Sequence, residues 1–159
     1  LGAGGAACGI MGPLLDAGVR EIVVSNRTAA RAEALCARFN EAIKADGAFK
    51  GTKVRAVSAA LLTREARFEL ILNATAASLN GQLPLLPEPV LAGAAAAYDL
   101  MYSRDGETVF TRYAKEHGVR AYDGLGMLIL QAAESYLLWR ARRPAVESVF
   151  AYLRPAGGS

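Results

Sequence analysis

At 159 residues, with hydrophobic side chains at 53% and charged ones at 21%, the chain has enough material for one domain around a buried core and is far from a disordered or coiled-coil composition. The net charge of +3 suits a phosphate-bearing ligand or a merely solvated basic surface, and scattered basic residues without interleaved aromatics argue against nucleic acid. No apolar stretch reaches the roughly 20 residues of a bilayer span and no basic-then-apolar leader opens the chain, so no membrane is expected and the cytoplasm is the default location.

Leu1 stands directly before a glycine-rich turn with no apolar strand ahead of it. Turns of this type leave a buried parallel strand, so the expectation is a fragment of a longer chain, its first strand largely missing. From Ala6 to Ala17 small and apolar residues predict a helix, weakened by Gly12 and Pro13 and closed by Gly18. Glu21 to Ser25 is short and β-branched, a strand buried on both faces. Thr28 then caps a helix from Ala29 to about Asp46, ended by Gly47.

Lys53 to Ser58 and Phe68 to Leu72 predict two further strands, the second running into Asn73-Ala74-Thr75. Residues 78–89, rich in Leu and Pro without a clear period, predict an irregular connection that closes over the site. Ala94 to Leu100 is another strand, Ser103 to Gly106 a turn, Thr108 to His117 a helix closed by Gly118, and Val119 to Tyr122 a last short strand. A long helix runs from Gly124 to about Arg142 and a short one from Ala145 to Arg154, separated by Pro144. Strands alternating with helices predict an α/β fold: a Rossmann-like doubly wound parallel sheet with helices on both faces. In such sheets ligands bind beyond the carboxyl ends of the strands, where the polar clusters of this sequence fall.

Gly2-Ala3-Gly4-Gly5-Ala6-Ala7 fits the GxGxx(G/A) dinucleotide pattern. Its first glycine makes the turn, its second lets pyrophosphate approach the backbone, and the free N–H groups of the next helix favour anions. A fold selecting NAD carries Asp or Glu about 20 residues on, to hold the ribose 2′-hydroxyl. Here the place holds Ser25-Asn26-Arg27-Thr28, with Arg31 one helical turn further. Two guanidinium groups suit a phosphate, and cations at a helix start oppose its dipole unless an anion joins them, which selects NADP. The bland alternative is that both are ordinary surface arginines.

On the long helix, Gly124, Met127, Leu128 and Gln131 share one stripe. Gln131 reads as a buried amide, bonded either to a substrate hydroxyl or to nearby backbone, and Tyr102 is equally ambiguous between donor and packing residue. His117, the sole histidine, lies at a helix end, where an imidazole mostly meets terminal carbonyls, and is assigned no catalytic role. Cys8 and Cys36 lack ligand spacing and read as reduced structural thiols. No nucleophile triad, metal cluster or carboxylate pair stands out, so neither a catalytic acid–base group nor a metal site is assigned.

Five blocks in this order resemble the nucleotide-binding half of shikimate dehydrogenases. They are Gly2-Ala3-Gly4-Gly5-Ala6, Asn26-Arg27-Thr28 with Arg31, Asn73-Ala74-Thr75, Tyr98-Asp99 with Tyr102, and Gly124-Leu125-Gly126-Met127 followed by Gln131-Ala132-Ala133. The resemblance covers nearly the whole chain and implies NADP-dependent interconversion of 3-dehydroshikimate and shikimate, toward chorismate and the aromatic amino acids. It implies that the glycine turn holds the pyrophosphate and that Asn26, Arg27, Thr28 and Arg31 hold the 2′-phosphate. By the same resemblance Asn73, Ala74, Leu100, Gly124 and Met127 belong to the cofactor site, and Tyr102 and Gln131 contact shikimate. The family's catalytic Lys and Asp belong to a preceding domain of the same chain, so residues 1–159 alone are expected to be inactive.

One departure is visible: after Asn73-Ala74-Thr75 the family continues with small polar residues and Gly, whereas this chain has Ala76-Ala77-Ser78-Leu79. Competing readings are a broader quinate/shikimate relative, a glutamyl-tRNA reductase with its similar Asn-Arg-Thr segment, and a regulatory module binding NADP without catalysis. NAD-preferring quinate relatives tend to carry an acidic residue near Thr28, and glutamyl-tRNA reductase lacks the block from Gly124 to Gln131. The residues leave a homodimer open.

Overall fold

A computed structural model describes residues 1–154 except Ala48, Lys50 and Ala66. The chain begins with helix α1, Gly5–Asp16, whose buried Ala7, Met11 and Leu15 recur every fourth residue and so lie along one stripe. Gly18, at φ +76, supplies the left-handed step that turns the chain into β1, Glu21–Val24. Helix α2, Ala29–Asp46, follows Thr28 and ends at Gly47 with φ +67, returning the chain to β2, Lys53–Ala56. β1 and β2 pair in parallel, Glu21 opposite Lys53 and Val24 opposite Ala56, and Asn40 Nδ2 donates to Val54 O at 2.8 Å to hold the helix against the strand.

The second half repeats the scheme. A 3₁₀ turn at Ala59–Arg64 precedes β3, Leu70–Asn73, and another at Ala77–Asn80 leads through the Leu- and Pro-rich stretch to a short helix, α3, Glu88–Ala92. β4, Ala96–Asp99, helix α4, Val109–Glu116, and β5, Arg120–Tyr122, complete a three-stranded parallel sheet in the order β3-β4-β5. Thr108 caps α4: its Oγ1 accepts from Thr111 N at 3.1 Å, while Thr111 Oγ1 accepts from Thr108 N at 2.8 Å, a reciprocal capping box. Helices α5, Leu125–Arg140, and α6, Glu147–Leu153, close the described chain.

The parallel α/β expectation is borne out, with the sheet in two pieces. Between β1 and β3 stands Leu1, whose backbone nitrogen donates to Leu72 O at 2.6 Å and whose carbonyl accepts from Ala74 N at 2.8 Å, while Gly2 N donates to Ser25 O at 2.8 Å. Leu1 and Gly2 thus link the two sheets where the order β2-β1 meets β3-β4-β5. Behind it lies an apolar slot lined by Met11, Leu14, Ile22, Val24, Ile71 and Leu72. Each half has its own core: Met11, Leu15, Val24, Leu35 and Val54 fill the first, and Ile71, Leu91, Ala97, Phe110 and Ala114 the second. No helix among the described residues is long and apolar enough to cross a membrane.

Candidate functional site

The carboxyl ends of β1 and β3 flank the turn at Leu1 and Gly2, which is the switch point of a doubly wound sheet. Gly2 is buried with φ +101, and a Cβ there would meet Ala74 O at 2.9 Å, so both the left-handed backbone and the close packing require glycine. Gly4 and Gly5 are different: both are exposed, and a Cβ on either would meet nothing within 4 Å. Packing within the described chain does not explain them, and the backbone there is open to approach. Gly4 caps α1 without a side-chain partner, leaving the N–H groups of the first turn free for an anion.

A groove of about 380 Å³ opens over this turn, in the lower part of the ~300–1,000 Å³ range of ligand pockets. One wall carries Ser25, Asn26 and Arg27, the other Thr75, Ala76, Ala77 and Asn80, and Gln82 to Leu85 close the far side. Asn26 Nδ2 donates to Thr28 O at 2.9 Å, which fixes the start of α2. Arg27 and Arg31 are both exposed, and neither pairs with a carboxylate among the described residues. Arg27 reaches the groove; Arg31, one turn along α2, stands outside its lining. The described lining contains no Asp, Glu, His or Lys, so the groove can bind and orient an anion but holds no group suited to moving a proton.

Asn73 and Asp99, both fully buried, end β3 and β4 side by side in register. Asn73 Nδ2 donates to Asp99 Oδ1 at 3.0 Å, and its Oδ1 accepts from Thr75 N and Oγ1 at 3.1 and 2.7 Å. The Asn73 side chain is therefore spent on holding the loop that forms the groove wall. Further along the sheet, Gly124 fits against the carbonyl of Leu100, and its N–H donates to Met101 O at 2.9 Å, so the structure brings Leu100 and Gly124 together. Burial pushes the neighbouring Tyr98 phenol up, away from ionisation at neutral pH.

Gln131 corrects the sequence reading, because it is exposed, not buried. The buried stripe of α5 runs through Leu125, Ile129 and Ala133, and Gln131, two residues from Ile129, points to another face. Tyr102 is 51% exposed just past β4. No hydrogen bond ties either side chain among the described residues. His117 Nδ1 lies 2.8 Å from Tyr113 O, the carbonyl contact its place at the end of α4 predicts. The irregular connection closes the groove with Gln82 to Leu85, in keeping with the sequence reading, whereas that reading gave no role to the carboxylate of Asp99, whose four partners lie in three segments.

The family model for shikimate/quinate 5-dehydrogenase matches residues 1–79, a span holding the glycine turn, Arg27 and the loop after β3. Over that span the chain is similar to the shikimate/quinate 5-dehydrogenase family. Among family relatives, a shikimate dehydrogenase (NADP(+)) of Verminephrobacter eiseniae is 46% identical over 98% of this chain and 52% of its own length. One from Nitrosospira multiformis is 44% identical over 100% of this chain and 54% of its own. An Ael1 enzyme from Pseudomonas putida superposes with a TM-score of 0.80 at 40% identity, covering 96% of this chain and 52% of that structure. A Thermus thermophilus shikimate 5-dehydrogenase solved with NADP(H) and shikimate gives 0.71 at 32% identity, over 96% and 52%. The chain thus spans about half the length of the family members it matches.

Proposed function

We propose that the intact protein is an NADP-dependent shikimate dehydrogenase, reducing 3-dehydroshikimate reversibly to shikimate, and that residues 1–159 form one domain, its NADP-binding half. One observation carries the reading: Gly2 of the glycine turn and Arg27 line one groove at the switch point, with no carboxylate in its described lining. The residues fit the cofactor. Gly4 and Gly5 leave room at the start of α1 for pyrophosphate, and Arg27 and Arg31, free of ion pairs among the described residues, suit a 2′-phosphate.

When bound, NADP supplies or accepts the hydride. The chain's own work is binding and orientation: the turn from Gly2 to Ala6 takes the pyrophosphate, and Asn26, Arg27, Thr28 and Arg31 take the adenosine phosphate. Asn73 and Ala74 set the loop beside them, while Leu100, Gly124 and Met127 bound the nicotinamide. Tyr102 and Gln131 offer an exposed hydroxyl and amide to the substrate's hydroxyl groups. The proton belongs to the other half of the enzyme in this reading, which the lack of an acid–base group in the described groove lining supports. The reading places the enzyme in the cytoplasm, makes that other half its partner within the chain, and leaves a homodimer to sedimentation.

The test is oxidation of shikimate by the intact protein with NADP and NAD side by side. Turnover that strongly prefers NADP is expected. Tight NADP binding without turnover would replace this reading with a regulatory one, and equal use of both cofactors would remove the arginines' role.

A further inference from the structure

Asp99 is fully buried, and among the described residues no cation pairs with it. Four neutral donors surround its carboxylate instead. Asn73 Nδ2 and Met101 N reach Oδ1 at 3.0 and 3.1 Å, and the Ser78 and Thr108 hydroxyls reach Oδ2 at 2.6 Å each. The two hydroxyl contacts fall in the short range of bonds donated to an ionised acceptor, the stronger class. A buried carboxylate needs such donors, so the three segments that supply them are drawn to one point.

Their placement is uneven. Thr108 caps α4 and is not part of the groove lining, whereas Ser78 belongs to the loop whose Thr75, Ala76, Ala77 and Asn80 form the groove wall opposite Arg27. Ser78 also lies in the segment where this chain departs from the family's usual small-polar-and-Gly pattern. Within that loop, Thr75 Oγ1 donates to Asn73 Oδ1 and accepts from Ala77 N at 3.3 Å, so the wall is referred residue by residue to the Asn73–Asp99 pair. We infer that Asp99, acting through Ser78, is a positioning residue that presets the groove wall for the part of the nucleotide common to NADP and NAD. The inference rests on the cofactor reading above.

Its test uses the intact protein, titrated with NADPH and with NADH by fluorescence, together with melting curves. Ser78→Ala, which removes one bond to the carboxylate, should weaken both cofactors by the same factor, about fivefold for one hydrogen bond, with the preference for NADPH unchanged. Thr108→Val, which removes the equivalent bond from outside the groove lining, should lower the melting temperature and leave both affinities within twofold. The inference is overturned by unchanged affinity in Ser78→Ala, by a loss confined to NADPH, or by affinity losses in both variants that simply track melting temperature. If the unmutated protein binds neither cofactor, the cofactor reading falls first and takes this inference with it.

Discussion

Gly124 and Leu100 meet so closely that a methyl group on Gly124 would fall on the Leu100 carbonyl. The glycine's φ of −78 suits any residue, so the constraint is the close approach of one backbone to another. Gly124→Ala should therefore push α5 away from the end of β4 and cost about 2–3 kcal/mol, as overpacking of a fixed site does. Melting of the intact protein measures it, and a fall of under about half a kcal/mol would mean that α5 shifts freely.

Arg27→Ala should weaken NADP about 10- to 100-fold, the worth of charged hydrogen bonds to a phosphate, and leave NAD nearly unchanged. Calorimetry with both cofactors checks this. Equal losses would place Arg27 against the shared part of the nucleotide.

Arg154 pairs with the carboxylate of Asp123, which is 1% exposed and also accepts from Ser103 N at 3.2 Å and Leu125 N at 3.3 Å. The pair ties the end of α6 to the start of α5. Removing the guanidinium leaves a buried carboxylate with backbone donors alone, so Arg154→Ala should cost about 1–3 kcal/mol and speed amide exchange throughout α6. Exchange unchanged in Glu147–Leu153 would show that α6 is held otherwise.

Helix α2 was legible because Thr28 and Gly47 bracket a run of good helix formers, and α1 because Gly18 ends it, and both bounds fall within a residue of expectation. The strands were legible as β-branched or alanine-rich runs, though β3 starts at Leu70, not at Phe68. Short elements were missed: the 3₁₀ turn at Ala59–Arg64 has no sharp period, and α3 spans five residues around a proline. At the site, the glycine turn and Arg27 could be found because their chemistry is local. Asn73 could be flagged but not oriented, since its burial depends on Asp99, and Gln131 was misplaced because a stripe of apolar residues does not say which face of α5 is covered.

Separate cores fill the two half-sheets, and Leu1, Val23, Val57 and Ala74 are among the residues that pack across from one to the other. Because the groove lies across the seam between the halves, a nucleotide bound there would act as a rivet, coupling them into one unfolding unit.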